Sequence, residues 1–290
     1  MSKIAESELI LNADGSIFHL HLHPESIADT ILLVGDQGRV EQVSKYFDKI
    51  DAKASNREFV THTGIFNGKR ISVISTGIGT DNLDIVINEL DALVNIDLQK
   101  REIKEKKSSL DLIRLGTSGA LQSYIPVDSY VISEYGLGMD GLMNFYAADN
   151  IYEKEIAAEF IQQTGWAAPL NTPYLVKASD SLFHKLKKDC HSGITATACG
   201  FYGPQGRELR LKPAIEGLNE KLTAFDFKGL KVTNFEMETS ALYGLGRSLG
   251  HNTATVCAII ANRIIKQFSA DYKITVDKLI QKTLQDLTSK

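Results

Sequence analysis

The sequence has few cysteines, no excess of basic residues and no long apolar segment. Its three cysteines, Cys190, Cys199 and Cys257, form no Cys-x-x-Cys pair, which argues against a disulfide framework and against a cysteine-rich zinc site. The formal net charge of -4 offers no general attraction for nucleic acid or an anionic membrane. We therefore expect free thiols in a reducing compartment, and an anion site would have to be built from local arginines.

The sequence also shows no segment that would direct the chain into or across a membrane. No apolar run approaches the roughly 18 residues that a membrane-spanning helix needs. The first residues show no apolar run followed by small residues, so we expect no signal peptide and a cytoplasmic location. The 290 residues, of which 43% are hydrophobic, allow one or two domains by length, and we predict a single domain over residues 1–290.

Short apolar runs alternate along the chain with segments of helical periodicity. Strands are predicted at residues 30–34, 70–75, 111–115, 129–133, 231–235 and 253–260. Helices are predicted at 40–47, from 81 onward and at 238–249, where apolar residues recur at three- and four-residue spacing. The order strand, glycine, polar residues, helix is typical of a three-layer α/β/α domain around a mixed, largely parallel central sheet.

Ligands of such folds bind beyond the carboxyl ends of the strands, and one of these ends is glycine-rich. Gly35-Asp36-Gln37-Gly38-Arg39 follows the first strand. Glycines allow backbone amides to approach an anion closely, and Arg39 adds a guanidinium suited to phosphate. Glycine-rich turns after strands are common, so this turn alone does not identify a site.

A second strand end carries an arginine inside an apolar run, in Arg114-Leu115-Gly116-Thr117-Ser118-Gly119. A buried arginine needs a partner, which either a nearby acid or a bound phosphate would supply. The hydroxyls of Thr117 and Ser118 are typical phosphate ligands. A third strand end, Glu236-Met237-Glu238, places two carboxylates at the start of a helix. There they either cap the helix or accept hydrogen bonds from sugar hydroxyls.

Together, the motifs Gly-Asp-x-x-Arg, Arg-x-Gly-Thr-x-Gly and Glu-Met-Glu, in this order, resemble the nucleoside phosphorylase family. Its members act on uridine, purine nucleosides and methylthioadenosine, and this chain is most similar to the uridine phosphorylase branch from about residue 18 to 263. The resemblance implies cleavage of uridine by inorganic phosphate into uracil and ribose 1-phosphate. It implies no cofactor and no catalytic metal, with phosphate as a co-substrate.

The same resemblance implies a role for each candidate residue. Phosphate would be held by Gly35, Arg39, Arg114 and Thr117, and the ribose hydroxyls by Met237 and Glu238, with Glu236 nearby. Arg57 would reach the phosphate, and His19 the ribose, of a neighbouring subunit, so the resemblance implies a homo-oligomer with shared sites. Glu58 is a candidate ligand of a structural monovalent cation, as in some relatives.

The segment Phe201-Tyr202-Gly203-Pro204-Gln205-Gly206-Arg207 resembles the pyrimidine-reading segment of the uridine branch. Phe201 would pack on the base, while Gln205 and Arg207 would read the polar edge of uracil. Arg207, with Arg263 behind it, would stabilise the negative charge on the departing uracil. The resemblance thus makes Arg114, Arg207 and Glu238 the candidate catalytic residues.

Two other patterns call for interpretation. Residues 97–109 contain a run of charges that reads as a solvated helix end and loop, and they look like an insertion relative to the family. His19, His21 and His23 alternate, so a strand would bring all three to one face. They have no acidic or cysteine partner at ligand spacing, and we expect no metal site.

Three alternatives remain open at this point. Inosine as the better substrate would indicate a purine nucleoside phosphorylase. Release of the base at the same rate with and without phosphate would indicate a hydrolytic nucleosidase. Binding without product would indicate a nucleoside-binding protein. The sequence decides neither uridine against deoxyuridine or thymidine nor dimer against hexamer.

Overall fold

The computed structural model describes residues 3–166 and 170–289. Within them, no helix is long and apolar enough to cross a membrane. The helices are α1 (Gln37–Ser44), α2 (Thr80–Asn95), α3 (Lys154–Thr164), α4 (Asp180–Leu186), α5 (Leu218–Ala224), α6 (Thr239–Ser248) and α7 (Tyr272–Thr288). The strands are β1 (Thr30–Val34), β2 (Lys49–Asn56), β3 (Phe59–Phe66), β4 (Lys69–Ser75), β5 (Ile96–Asp97), β6 (Glu102–Ile103), β7 (Asp111–Ala120), β8 (Tyr130–Gly138), β9 (Tyr174–Lys177), β10 (His191–Thr197), β11 (Asp226–Phe227), β12 (Leu230–Glu236), β13 (Asn252–Asn262) and β14 (Gln267–Phe268).

Twelve of these strands form one mixed sheet, ordered β11-β12-β10-β8-β13-β7-β1-β4-β3-β2, with β14 against β13 and β9 against β8. Strand β1 pairs parallel with β4 and β7, β13 pairs parallel with β7, and β10 pairs parallel with β8 and β12. The pairs β13–β8 and β12–β7 and the outer strands β2, β3 and β4 are antiparallel. Strand β12 also pairs with β7, so β12, β10, β8, β13 and β7 close into a ring. The predicted mixed α/β fold is confirmed, and the closed ring is an addition to it.

Helices cover both faces of the sheet, which explains why β1 is buried along its whole length. In β1, Ile31 and Leu33 pack into a core with α2 and α6, whereas Leu32 and Val34 pack into a second core with α1, α4 and α7. A strand that is buried on both faces has no polar side to alternate with. The three layers predicted from the sequence are therefore present.

The charged region after α2 begins with a β-hairpin, which its composition does not predict, and continues over residues 104–109 as the largely exposed loop that it does predict. Strand β5 pairs antiparallel with β6, and the side chains of Glu102 and Ile103 are exposed. The carbonyl of Arg101 accepts a hydrogen bond from the amide of Ile4 at 2.8 Å, and its side chain donates to the carbonyl of Leu9. The hairpin therefore anchors the N-terminal segment through backbone contacts that composition does not reveal.

The alternating histidines also differ from the strand that would place them on one face. Residues 18–23 form a turn and irregular backbone, and His21 has a φ of 53°. Their side chains have separate partners: His19 contacts Glu89, and His21 contacts Asp14. In the part of the chain that the structure describes, no group of three or more histidine, cysteine or acidic side chains is arranged to hold a metal ion.

Candidate active site

The carboxyl ends of β1, β4, β7, β12 and β13 open into one cavity of about 940 Å³. Each of these five strand ends contributes to the cavity wall, as expected for an α/β sheet. The segment after β10 closes another side of the cavity. The wall includes most of the residues that the sequence predicts for the site: Gly35, Arg39, Glu58, Arg114, Thr117, Phe201, Gln205, Arg207, Glu236, Met237 and Glu238.

At the end of β1, the glycine-rich turn leads directly into α1. Asp36 caps this helix, because its Oδ1 accepts a hydrogen bond from the amide of Gly38 at 2.8 Å. Arg39 therefore lies in the first turn of α1, and its Nη1 donates to the carbonyl of Leu115 at 3.2 Å. Burial and the nearby charge of Arg114 lower the pKa of Arg39. Two cations that converge in this way favour a bound anion.

Arg114 is a buried cation with one unsatisfied donor. Its Nη2 donates to Oε2 of Glu238 and lies 3.6 Å from Oε2 of Glu236. Burial lowers the pKa of Arg114, but the two carboxylates outweigh burial and raise it. Its Nη1 is buried and has no hydrogen-bond partner among residues 3–166 and 170–289. Because leaving such a donor unpaired is costly, this atom is suited to an acceptor from a ligand.

The two carboxylates at the start of α6 have different tasks. Glu236 accepts hydrogen bonds from the amides of Glu238 and Thr239 and from the hydroxyl of Thr197, at 2.7 to 3.0 Å. Burial raises the pKa of Glu236, an effect that Arg114 opposes. The oxygens of Glu236 are thus occupied with the helix start, which is the capping role that the sequence left open. Its predicted contact with ribose stays a prediction.

Glu238 is the carboxylate that links the strand ends across the cavity. Its Oε2 contacts Arg114 at β7, and its Oε1 accepts from the amide of Gly79, after β4, at 2.8 Å. Gly79 has a φ of 103°, a conformation that side-chain-bearing residues rarely adopt. The glycine at this position therefore allows the turn after β4 to present its amide to Glu238. Both oxygens of Glu238 therefore have partners at other strand ends.

The predicted base-reading residues form a compact group on the segment after β10. The guanidinium of Arg207 lies 3.8 Å from the ring centroid of Phe201. Its Nη1 donates to Oε1 of Gln205 at 2.6 Å, which leaves the Gln205 amide nitrogen as a donor. Arg263 donates to the carbonyl of Gln205 at 2.7 Å from outside the cavity wall. Burial, followed by the charge of Arg263, lowers the pKa of Arg207 to about 10.

Besides Arg263, two of the predicted site residues do not line the cavity of their own chain. Arg57 lies in the turn between β2 and β3, with a φ of 53° and its guanidinium 6.0 Å from the ring centroid of Phe18. The Nδ1 atom of His19 lies 2.7 Å from Oε1 of Glu89 on α2. The roles of both residues in a neighbouring subunit therefore stay predictions.

Sequence reasoning missed several apolar parts of the wall. Ile78 and Phe268 line the cavity while remaining 67% and 64% exposed. Phe268 belongs to the two-residue strand β14, which pairs with the end of β13. The only signal for it is its position just beyond a strand that carries site residues. Asn82, at the start of α2, also lines the cavity.

Comparison with known proteins identifies the family of this chain. The model of the phosphorylase superfamily matches residues 29–289. A uridine phosphorylase of Thermococcus kodakarensis is 31% identical over 274 residues, which cover 92% of this chain and 85% of that protein. The uridine phosphorylase of Escherichia coli is 28% identical over 253 residues, which cover 85% of this chain and 86% of that protein.

A solved structure gives the same result. The crystal structure of a Trypanosoma brucei nucleoside phosphorylase, described as showing uridine phosphorylase activity, matches with a TM-score of 0.87 and 30% identity. The match covers 97% of this chain and 100% of that one. With the family model matched over nearly the whole sequence, this chain belongs to the phosphorylase superfamily.

Proposed function

We propose that this chain catalyses the phosphorolysis of uridine, giving uracil and ribose 1-phosphate. The observation that carries the proposal is Arg114, a buried guanidinium whose Nη1 has no partner among the described residues and which lines the same cavity as Arg39 and the Gln205–Arg207 pair. The relatives named as uridine phosphorylases support this substrate. The activity makes the protein a pentosyltransferase of nucleoside salvage.

The phosphate end of the cavity is assigned to the strand ends of β1 and β7. Arg114 would donate from Nη1, and Arg39 would add a second guanidinium from the first turn of α1. The backbone of Gly35 and the hydroxyl of Thr117 complete this end. Guanidinium groups, hydroxyls and the start of a helix are typical phosphate partners.

The ribose and the base are assigned to the remaining wall. Glu238 would accept hydrogen bonds from the ribose hydroxyls, with Met237 against the sugar. Phe201 would pack on the pyrimidine. Gln205 would donate from its free amide nitrogen to a uracil carbonyl, since Arg207 already occupies its oxygen.

The reaction would be a displacement at the anomeric carbon. A phosphate oxygen forms a bond to this carbon while the bond from the carbon to the uracil nitrogen breaks. The electron pair of that bond leaves with uracil, whose negative charge Arg207 stabilises with Arg263 behind it. Binding both reactants in one cavity supplies proximity and orientation, which are large terms in catalysis. No cofactor takes part in this scheme.

The assembly is part of the same proposal. Arg57 and His19 would complete the phosphate and ribose sites of a second subunit, in a homo-oligomer with shared sites. Glu58 lines the cavity and is assigned to a structural monovalent cation. The three cysteines are free thiols, which supports a cytoplasmic location because thiols persist in reducing compartments.

The test is chromatographic detection of uracil released from uridine with and without phosphate, alongside inosine, 2′-deoxyuridine and thymidine. Phosphate-dependent release of uracil is the expected result. Equal release without phosphate would show a hydrolase and overturn the phosphate site. Release of hypoxanthine alone would overturn the assignment of Gln205 and Arg207, and binding without product would show a nucleoside-binding protein.

A further inference from the structure

The start of α6 is capped in an unusual way. The residue at its N-cap position is Glu238, and its side chain makes no capping hydrogen bond. An N-cap side chain ordinarily accepts from the amides of the first helical turn. Here Glu236 accepts from the amide of Thr239, and the hydroxyl of Thr197 accepts from the amide of Ser240 at 3.0 Å. This substitution leaves the carboxylate of Glu238 out of the helix cap, and its oxygens contact Arg114 and the amide of Gly79 at the cavity instead.

A second set of hydrogen bonds, from Ser240 and Tyr174 to Asp140, stabilises the helix start that Glu236 and Thr197 cap. The hydroxyl of Ser240 donates to Oδ2 of Asp140 at 2.8 Å. The buried hydroxyl of Tyr174 donates to the same carboxylate at 3.0 Å. Burial, followed by the charge of Asp140, raises the pKa of Tyr174, so this hydroxyl remains a donor. Asp140 therefore holds the first turn of α6 through Ser240.

Two glycines of β8 provide the space for this arrangement. A Cβ atom on Gly136 would lie 3.1 Å from Cα of Ser240, and one on Gly138 would overlap the ring of Tyr174. These glycines are two residues apart and so point to one face of the strand. The helix start and the Tyr174 ring can thus approach the strand backbone closely.

We propose that Asp140 and Tyr174 are positioning residues that keep Glu238 facing the substrate, a role that rests on the proposed function. Asp140 accepts from the hydroxyl of Ser240, and the hydroxyl of Tyr174, which lies 3.0 Å from Asp140 and 3.1 Å from Ser240, shares its proton between them. These contacts hold the first turn of α6 against Thr197 and Glu236. When this turn is loose, its amides become available to the carboxylate of Glu238, which then turns back to cap its own helix. Glu238 would in that state lose its position for the ribose hydroxyls.

The experiment compares uridine with 2′-deoxyuridine in Asp140→Asn and Tyr174→Phe. An asparagine has only one acceptor oxygen, and a phenylalanine has no hydroxyl, so each change weakens the hold on Ser240 at nearly constant volume. The quantity measured is the ratio of kcat/KM for uridine to kcat/KM for 2′-deoxyuridine, with melting temperature alongside. We expect the ratio to fall about fivefold in both variants. The contact between Glu238 and the 2′-hydroxyl is lost in the variants, and only uridine has this hydroxyl.

Tyr243→Phe is the matched control. Tyr243 is a buried tyrosine of the same helix, and its hydroxyl donates to the carbonyl of Ser133 at 2.8 Å, apart from the Asp140 group. Its substitution should lower stability while keeping the ratio within about twofold of the wild type. The inference is overturned if Asp140→Asn and Tyr174→Phe reduce both substrates equally, or if the wild type does not discriminate between them. A wild type without phosphate-dependent uracil release would instead overturn the proposed function.

Discussion

Arg114 and Glu238 are in direct contact at the cavity wall, where Nη2 of Arg114 is bound to Glu238 and Nη1 has no partner among the residues that the structure describes. The contact joins β7 to the start of α6, two elements that are 124 residues apart in the chain at this point. Each of the two side chains is also suited to a hydrogen bond with a ligand. The arginine has a donor left for an anion, and the carboxylate is acceptor-only. Phosphate binding and ribose binding are therefore expected to depend on the same pair.

Removal of the arginine should consequently affect both reactants. In Arg114→Ala, we expect kcat/KM to fall at least about a hundredfold, because a positioned cation is lost and Glu238 is left buried without its partner. Phosphate binding, measured by calorimetry, should weaken in parallel. Steady-state kinetics with varied uridine and varied phosphate will separate the two effects.

Arg70→Ala is a suitable control for this change. Arg70 makes hydrogen bonds to Asp51 and to the carbonyls of Glu25 and Ile27, and it does not line the cavity. It should alter stability more than turnover. Near-normal kinetics for Arg114→Ala would remove Arg114 from the catalytic group.

The shared pair also predicts that an anion strengthens nucleoside binding. Sulfate resembles phosphate in shape and charge but supports no phosphorolysis. When sulfate binds Arg114, the contact between Arg114 and Glu238 weakens. Glu238 can then accept hydrogen bonds from the ribose hydroxyls. We expect the Kd of uridine to fall about threefold or more in saturating sulfate, and uridine to tighten sulfate binding by the same factor. Calorimetric titrations that show no mutual effect would contradict this coupling.

How far the sequence predicts the structure depends on how local each signal is. The strand at 30–34 matches β1, because five apolar residues followed by glycine form a local pattern. The helix expected at 40–47 instead spans Gln37–Ser44. Its start is fixed by Asp36, whose side chain accepts from the amide of Gly38. Apolar periodicity marks the buried face of a helix but not its first turn, which explains the shift.

The site is more predictable than the fold around it. The three strand ends that the sequence singles out, after β1, β7 and β12, all contribute to the cavity. The ends of β1 and β7 meet there because the carboxyl ends of neighbouring parallel strands lie at one edge of a sheet. In contrast, β12 pairs with β7, with Asn234 opposite Ala120, and no local sequence pattern predicts this pairing. The same holds for Asp140 and Ser240, which are 100 residues apart. Contacts of this kind follow from the complete packing.

The three thiols should differ in reactivity. Cys199 is exposed, whereas burial raises the pKa of Cys190 to about 11 and that of Cys257 to about 12. The thiolate is the reactive form, so at pH 8 a group with a pKa of about 11 is reactive in only about one molecule in a thousand. Ellman titration of the folded protein should show one fast thiol per chain, and Cys199→Ser should remove it. Three equally fast thiols would contradict the burial of Cys190 and Cys257.

A mixture of two inactive variants tests whether the sites are shared between subunits. Arg57 lies outside the cavity of its own chain, so Arg57→Ala should impair the site of the neighbouring subunit, whereas Arg114→Ala impairs its own. Each variant alone then has two defective sites per pair of subunits. In a mixed pair, one site has the intact Arg114 of its own subunit and the intact Arg57 of the other.

Unfolding the two variants together and refolding them should therefore restore activity that neither has alone. Random pairing gives mixed pairs in half of the cases, and half of their sites are intact, so recovery should approach about a quarter of the wild-type activity. Each variant refolded alone serves as the control. If Arg57 acts only within its own chain, a mixed pair contains one defective site of each kind and the mixture stays inactive. A fully active monomer in sedimentation-controlled assays would contradict the shared site in a second way, because an isolated subunit would then need no arginine from a partner.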